Sequence, residues 1–270
     1  RSYFAEGRNW LETAIEKSSD KPSSQLGRSY KALALLSWKQ GDYETARRSY
    51  AKTLEIGEIL NDDLTMATAF NGFAIIAYLQ NEILKARSFY EKALPLSRTI
   101  NNANLIRSVL MGLGEIARIE EDFDSAYEYN QEVLALTRES GDKYLGNGSL
   151  INLGFCSCQR GEFSKAQAFF SEALKLDVEL DSKAHILLCL HGFAWIATKL
   201  NNDILAVKMA AAAETLQKEI GYELETPDRK FRDEYCHELK AKMGEMEFSI
   251  ALNGHTKIRY DEIINLALNQ

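Results

Sequence analysis

The stretch "QGDYETARRSYAKTLEI", residues 40–56, decides the fold, because its pattern returns at a fixed interval along the chain. A glycine that can end one helix is followed by a carboxylate that can begin the next, and then by small, aromatic and aliphatic residues at helical spacing. Aligned on this stretch, the sequence places helix boundaries at 41, 81, 121, 161 and 201. The constant interval of 40 residues predicts five copies of one helical hairpin.

Both helices of each predicted copy carry matching columns. The second helix has an invariant small residue at Ala46, Ala86, Ala126, Ala166 and Ala206, and a mostly aromatic position at Tyr50, Tyr90, Asn130, Phe170 and Ala210. The first helix places a large residue before a small one, at Leu33-Ala34, Phe73-Ala74, Leu113-Gly114, Leu153-Gly154 and Phe193-Ala194. Spacings of three and four predict two amphipathic helices per copy, at 26–40 and 42–60 in the first.

The turn residues agree with this register, with one exception. Gly41 and Gly161 suit the left-handed conformation that ends many helices, and Asn81 and Asn201 tolerate it. Glu121 does not favour that conformation. We therefore expect the middle turn to be built differently from the others.

These columns resemble the tetratricopeptide repeat, with a unit longer than the usual ~34 residues. The resemblance implies an all-α fold, a right-handed α-solenoid of helix pairs with a C-terminal helical cap. We expect residues 1–20 to be the second helix of a truncated repeat, 21–222 to be five repeats, and 223–270 to be capping helices over the apolar end of the stack. "EGRNWLETAIE" at 6–16 reads like "ARSFYEKALPL" at 86–96, and residue 1 is Arg. We therefore expect the chain to be a piece of a longer protein.

The tail "AVKMAAAAETLQKEIGYELETPDRKFRDEYCHELKAKM", which opens at residue 206, carries a second resemblance. It is similar to the closing segment of bacterial STAND-type, LuxR-family regulators, whose repeats form MalT-like sensor arms. This resemblance implies a cytoplasmic sensor and autoinhibitory arm, with the ATPase and the output domains outside this chain.

Signs of chemistry are few. The sequence has no G-x-x-x-x-G-K-[ST] phosphate loop, and its four histidines and four cysteines have no metal-ligand spacing. A net charge of −7 argues against a grip on nucleic acid, and the longest apolar runs fall short of the ~20 residues that span a membrane. We expect a non-enzymatic segment with no cofactor, no metal, no direct nucleic-acid contact and no membrane insertion.

Binding is the remaining function class. In tetratricopeptide stacks the first helices line a concave groove, and the resemblance projects positions 31, 35, 38 and their equivalents inward. The candidate groove residues are Lys31, Trp38, Asn71, Tyr78, Glu115, Arg118, Phe155, His191 and Trp195. Aromatic rings would supply contact area, and Arg118 could pair with a carboxylate. The alternative is that the aromatic residues pack against the next repeat and that Glu115 pairs with Arg118.

Three functions fit this pattern. The first is a sensor arm that binds an inducer or partner protein and contacts other domains of its parent regulator. The second is a free-standing adaptor that holds peptides in its groove. The third is a peptide-pheromone receptor, although such receptors line the groove with asparagines and Asn71 is the only one in these columns.

Overall fold

The computed structural model describes residues 2–18, 21–141, 146–254 and 260–269. Over these ranges the regular elements are all α-helices. Their bounds are α1 Ser2–Glu16, α2 Ser24–Lys39, α3 Tyr43–Leu60, α4 Asp63–Leu79, α5 Ile83–Thr99, α6 Ala103–Ile119, α7 Phe123–Ser140, α8 Asn147–Gln159, α9 Phe163–Glu179, α10 Lys183–Lys199, α11 Asp203–Ile220, α12 Thr226–Met243, α13 Glu245–Gly254 and α14 Tyr260–Leu268. The predicted pair at 26–40 and 42–60 corresponds to α2 and α3.

Turns with a left-handed residue recur every 20 residues, both within the predicted copies and between them. Backbone φ is positive at Gly41, Asn61, Asn81, Asn101, Glu121, Gly141, Gly161, Asp181, Asn201 and Gly221. At the first of them the N–H of Gly41 donates to the carbonyl of Trp38 at 2.9 Å, and the N–H of Asp42 donates to that of Ser37 at 3.0 Å. These two bonds satisfy helix-end carbonyls. One left-handed residue therefore ends each helix from α2 to α11.

The middle turn is built like the others, so the expectation for Glu121 was wrong. Its φ is 62°, and the N–H of the following Asp122 donates to the carbonyl of Ala117 at 2.9 Å, as in the glycine turns. The left-handed conformation costs a non-glycine residue roughly 1–2 kcal/mol. The packing of the helices on either side overrides this local preference.

Aspartate begins several of these helices by capping them. Asp42 accepts a hydrogen bond from the backbone N–H of Thr45 at 3.0 Å, and Asp122 accepts one from Ser125 at 3.1 Å. The bond from Thr45 is the largest cause of the lowered pKa of Asp42. Glu82 and Glu162 stand at the same position without a side-chain cap bond. They form ion pairs instead, Glu82 with Arg47 and Lys85 and Glu162 with Arg160 and Lys165.

In three of the five copies, the ring of the aromatic column packs against a glycine of the following first helix. A Cβ added at Gly72 would lie 2.2 Å from the Tyr50 ring, one at Gly112 would lie 2.2 Å from Tyr90, and one at Gly192 would lie 2.3 Å from Phe170. A real side chain cannot occupy that space. The alanine column completes these contacts, since its five members are fully buried.

The third copy replaces both members of this contact. Asn130 stands where the ring belongs and Asn152 where the glycine belongs. Asn130 is buried, and its Nδ2 donates to the carbonyl of Ala126 at 2.8 Å. Losing the ring removes the need for glycine at the partner position, so the two substitutions compensate for each other.

Packing divides the chain into two compact units, Arg1–Ile116 and Ala117–Gln270. Unit 1 holds α1 to α5 and most of α6, and a buried cluster in it comprises Ala34, Ala46, Tyr50 and Ile76. Unit 2 holds the remaining helices around a larger core that includes residues of α8, α10, α12, α13 and α14. The sequence-based division into 1–20, 21–222 and 223–270 stays a prediction.

The C-terminal helices pack in two ways. Helices α13 and α14 contact α11, as expected of a cap, and α14 also contacts α9. Helix α12 contacts α13 and, in addition, contacts α10 and bonds to side chains of α6 and α8. It therefore does not simply cover the end of the stack.

The ring-on-glycine contact predicts opposite effects for two glycine substitutions in unit 2. Gly192→Ala forces the Phe170 ring to move and is expected to lower the free energy of unfolding by about 1–3 kcal/mol. Gly148→Ala adds a Cβ that meets nothing within 4 Å in α8, and is expected to raise it by about 0.5–1 kcal/mol. Urea unfolding of both variants measures this, and equal effects would refute the packing argument.

Candidate functional site

In unit 1 the predicted groove residues keep part of their surface. Lys31 is exposed, and Trp38, Asn71 and Tyr78 are half-buried. Between them in the same columns, Leu35 of α2 is 41% exposed and Met111 of α6 is 44% exposed. Glu115 is half-buried near the end of this unit. The inward columns of unit 1 therefore present an accessible surface of mixed apolar and polar character.

Neighbouring side chains orient the residues of this surface. The Trp38 side chain hydrogen-bonds the hydroxyl of Tyr50, whose burial raises its pKa to about 12. Asn71 Nδ2 donates to Ser108 Oγ at 3.3 Å, which links α4 to α6. Lys39 Nζ lies 5.7 Å from the centre of the Trp38 ring. One face of Trp38 is thus held by the protein.

In unit 2 the predicted groove residues are buried, and α12 is what they contact. Arg118, Phe155, His191 and Trp195 are each less than 10% exposed. Each has a hydrogen bond, an ion pair or a ring contact with a residue of α12. The protein's own helix therefore covers the inward columns of this unit.

A buried ion pair holds the first turn of α12. The Arg118 guanidinium bonds to the carboxylate of Asp228, and the side chains of both residues are at most 7% exposed. A second nitrogen of Arg118 donates to Asn152 Oδ1 at 2.7 Å. The guanidinium carbon also lies 5.1 Å from the centre of the Phe155 ring. A buried cation needs such partners, because an uncompensated charge is very costly in a protein interior.

One ring of α12 lies against two aromatic residues of the first helices. The Phe231 centroid is 4.2 Å from that of Trp195 with the planes 19° apart, and 4.5 Å from that of Phe155 at 65°. These are the stacked and edge-to-face arrangements that aromatic pairs prefer. Phe231 therefore anchors α12 to both α8 and α10.

A turn further along, His191 meets Tyr235. His191 Nδ1 lies 2.7 Å from the Tyr235 hydroxyl, and both side chains are buried. Burial, assisted by the charge of Arg232, lowers the pKa of His191 to about 3. Burial likewise raises the pKa of Tyr235 well above its ordinary value. Both groups are therefore neutral at physiological pH.

Two buried nitrogens at this contact have no hydrogen-bond partner among the residues that the structure describes. They are Nε2 of His191 and Nε1 of Trp195. An unsatisfied buried polar group costs about 1–3 kcal/mol. Both nitrogens belong to residues of α10 that contact α12 through other atoms.

The edges of α12 make exposed polar contacts. Lys230 pairs with Glu121, Glu234 accepts a bond from Gln159 at 3.3 Å, and Lys199 pairs with Glu238 at 2.5 Å. Near the end of the helix, Lys242 Nζ donates to the carbonyl of Thr198 at 2.8 Å. Pairs at such exposed edges add little stability and are screened by salt.

Sequence reasoning missed the four inward residues of α12. Asp228, Phe231, Tyr235 and Leu239 are buried and stand at i, i+3, i+7 and i+11 of one helix. That spacing, on a helix which starts at Thr226-Pro227, predicts an apolar face, so these four residues could have been found from the sequence. The expectation of a terminal cap did not say which helices this apolar face packs against.

A small cavity beside Arg118 lies at the start of α12. Its volume is about 170 Å³, and its lining includes Phe123, Phe155, Gln159 and Phe231. Pockets for drug-sized ligands occupy roughly 300–1,000 Å³. This cavity cannot hold an inducer of that size while α12 is in place.

Metal and thiol chemistry find little support. Among the described residues, no three His, Cys, Asp or Glu side chains come together to hold a metal ion. Burial raises the pKa of the thiols of Cys158, Cys189 and Cys236, the last to about 11. Within the same described residues, no helix is long and apolar enough to cross a membrane.

The fold defines a class of protein, an α-solenoid of stacked helical hairpins. Residues 4–99 match the family model described as tetratricopeptide repeat. Proteins with such repeats bind other proteins and are in general not catalytic. No curated protein matches the chain.

Two solved structures share the fold. The crystal structure of BtubC (BKLC) from P. vanneervenii has a TM-score of 0.66 and 19% identity, over 82% of this chain and 92% of that chain. A STAND protein (Signal Transduction ATPase with Numerous Domains) with a tetratricopeptide repeat sensor, from Pyrococcus horikoshii, has the same TM-score and identity, over 98% of this chain and 41% of that chain. The predicted all-α class, an α-solenoid of tetratricopeptide-like helix pairs, is confirmed.

The buried ion pair predicts a large, coupled loss of stability. Asp228→Leu leaves Arg118 buried without its carboxylate and is expected to lower the free energy of unfolding by about 3–5 kcal/mol. Adding Arg118→Leu is expected to restore part of this loss, because both charges are then gone. Lys230→Ala, which breaks an exposed pair between α12 and the same region, is expected to change little. Additive losses from Asp228→Leu and Arg118→Leu in denaturant titrations would contradict the coupling.

His191 predicts a pH dependence. Its folded pKa of about 3 lies below the ordinary 6.5, so the unfolded chain binds the proton first as pH falls. Stability is therefore present above pH 6.5 and is lost toward pH 3, with a slope of up to about 1.4 kcal/mol per pH unit. In denaturant titrations at pH 7, 6 and 5, His191→Gln is expected to flatten this slope. His237→Gln, on the exposed side of α12, is expected to leave it unchanged, and a slope that persists in His191→Gln would contradict the assignment.

Proposed function

We propose that this chain is a non-catalytic interaction region and that it acts as the sensor and regulatory arm of a larger bacterial signal-transduction ATPase or transcriptional regulator of the STAND type. The observation that carries the proposal is the accessible surface of unit 1. There Leu35, Trp38 and Tyr78 line consecutive first helices, within the segment that matches the repeat family. Rigid aromatic residues on such a surface supply binding area at little entropic cost.

Binding at this surface would regulate a parent protein by shifting its conformational equilibrium. A ligand does so only when its affinity differs between two states of the protein. The likeness to a STAND protein with a tetratricopeptide repeat sensor, in which the match covers 41% of that chain, supports this arrangement. We propose a cytoplasmic location and, as ligand, a protein, a peptide or a small inducer. We also propose the boundaries 1–20, 21–222 and 223–270 as the truncated repeat, the five repeats and the capping helices.

A free-standing adaptor is the second candidate. The likeness to BtubC favours it, because 92% of that chain is covered by the same fold. The reading frame that encodes Arg1 distinguishes the two functions. A nucleotide-binding loop in the same polypeptide supports the sensor arm, and a frame without one supports the adaptor. The structure gives no support to the pheromone-receptor alternative, because the side-chain amide of Asn71 already donates a hydrogen bond to Ser108.

The binding surface of unit 1 is tested with a displayed peptide library selected on the whole chain. Selected peptides are expected to bind Trp38→Ala at least tenfold more weakly, because this substitution removes the central ring of the surface. Trp10→Ala is the matched control, since Trp10 is 71% exposed on α1, outside the inward columns. Circular dichroism checks that both variants fold. The site would be overturned if the selected peptides bind the Trp38→Ala variant and the parent chain with equal affinity.

A further inference from the structure

We propose that the surface of unit 2 under α12 is a helix-binding site, and that a partner protein occupies it by inserting an amphipathic helix in place of α12. The partner helix carries a carboxylate, an aromatic residue three positions later and a second aromatic residue seven positions later. This inference rests on the proposed interaction function and names the kind of partner that unit 2 takes.

The contacts of α12 define the chemistry that this surface selects. Arg118 requires a carboxylate, which Asp228 supplies. The space between Phe155 and Trp195 takes a flat ring, which Phe231 supplies. These contacts come from side chains on one face of one helix, so a different amphipathic helix with the same spacing satisfies the same surface.

The outward side of α12 is polar and exposed to solvent. Arg229, Lys230, Asp233, Glu234 and His237 are all exposed. Undocking the helix therefore exposes its narrow inward face and the surface of α6, α8 and α10 that this face covers, and the polar contacts that it breaks at its edges are weak ones. The repeat helices α8 and α10 depend less on this contact than α12 does, because each of them also packs against other repeat helices.

The unsatisfied nitrogens show where a partner can improve on α12. His191 Nε2 and Trp195 Nε1 find no hydrogen-bond partner in the described part of the chain. A partner helix with a glutamine or glutamate that reaches these nitrogens gains hydrogen bonds that α12 lacks. The surface therefore favours replacement by a helix with this additional acceptor.

Glycines flank α12 on both sides. Gly221 has a φ of 61° before the helix, and Gly244 has a φ of 87° after it. Residues 221–225 connect α11 to α12, and Gly244 separates α12 from α13. Backbone at glycine changes direction at low cost, so these two positions can serve as hinges while α13 and α14 stay on α11.

Hydrogen exchange on the whole chain gives the first test. If α12 undocks, its backbone amides exchange at least tenfold faster than those of α8 and α10, since α12 then opens without the repeat helices. Equal protection of all three helices would overturn the proposal, because α12 would then be an integral part of the core.

The second test uses a synthetic peptide of residues 224–243 with a fluorescent label. We expect at least tenfold tighter binding to the Phe231→Ala chain than to the parent chain, because the variant's own helix no longer competes well. His237→Ala is the matched control, since this exposed residue of α12 lies off the contact, and it is expected to bind the peptide like the parent. A peptide that itself carries Phe231→Ala is expected to bind at least tenfold more weakly.

Circular dichroism shows whether the Phe231→Ala chain is folded. If the Phe231→Ala chain is not folded, the Tyr235→Phe chain is used in its place, because this substitution removes only the hydroxyl that meets His191. No binding to a folded variant of α12 overturns the proposal. Library peptides that depend on Trp38 would then still support the function of unit 1, so the two failures are distinguishable.

Discussion

The contact of an aromatic ring with a glycine of the next hairpin is the constraint on which the helix stack depends. Tyr50 meets Gly72, Tyr90 meets Gly112 and Phe170 meets Gly192, in each case 22 positions further along the chain. A ring can enter a neighbouring helix only where Cβ is missing, so the two helices must meet in one register. This requirement fits the constant spacing of the left-handed turn residues, which recur every 20 positions from Gly41 to Gly221.

Where this contact is absent, the chain uses polar chemistry. Asn130 and Asn152 replace the ring and the glycine, and Asn152 accepts a hydrogen bond from Arg118. Arg118 in turn bonds to Asp228 of α12. The third copy, one of the two copies without a ring in this column, is thus the copy that binds the start of α12, and its polarity gives that end of the helix a specific partner.

Much of the fold could be predicted from the sequence, because in a repeat protein the same packing requirement selects the same type of residue at equivalent positions of several copies. Ala46 alone says little, but its four equivalents reveal a buried column, and the start of α12 at Thr226 follows from local helix signals. The position of α12 could not be predicted in the same way. It depends on contacts such as Arg118 with Asp228, which are 110 residues apart and occur once. The candidate groove residues of unit 2 were therefore named, but what covers them was not.

The two sets of inward columns differ in what they demand of an occupant. In unit 1 Leu35 and Met111 remain partly in water and Asn71 is satisfied within the protein, so this surface is stable when it is open. In unit 2 an open surface would expose Phe155 and Trp195 together with Arg118, and an apolar patch of that kind favours a cover. The cover that the chain supplies leaves His191 and Trp195 with unsatisfied nitrogens. The requirement for an occupant is the physical basis of the helix exchange proposed for this surface.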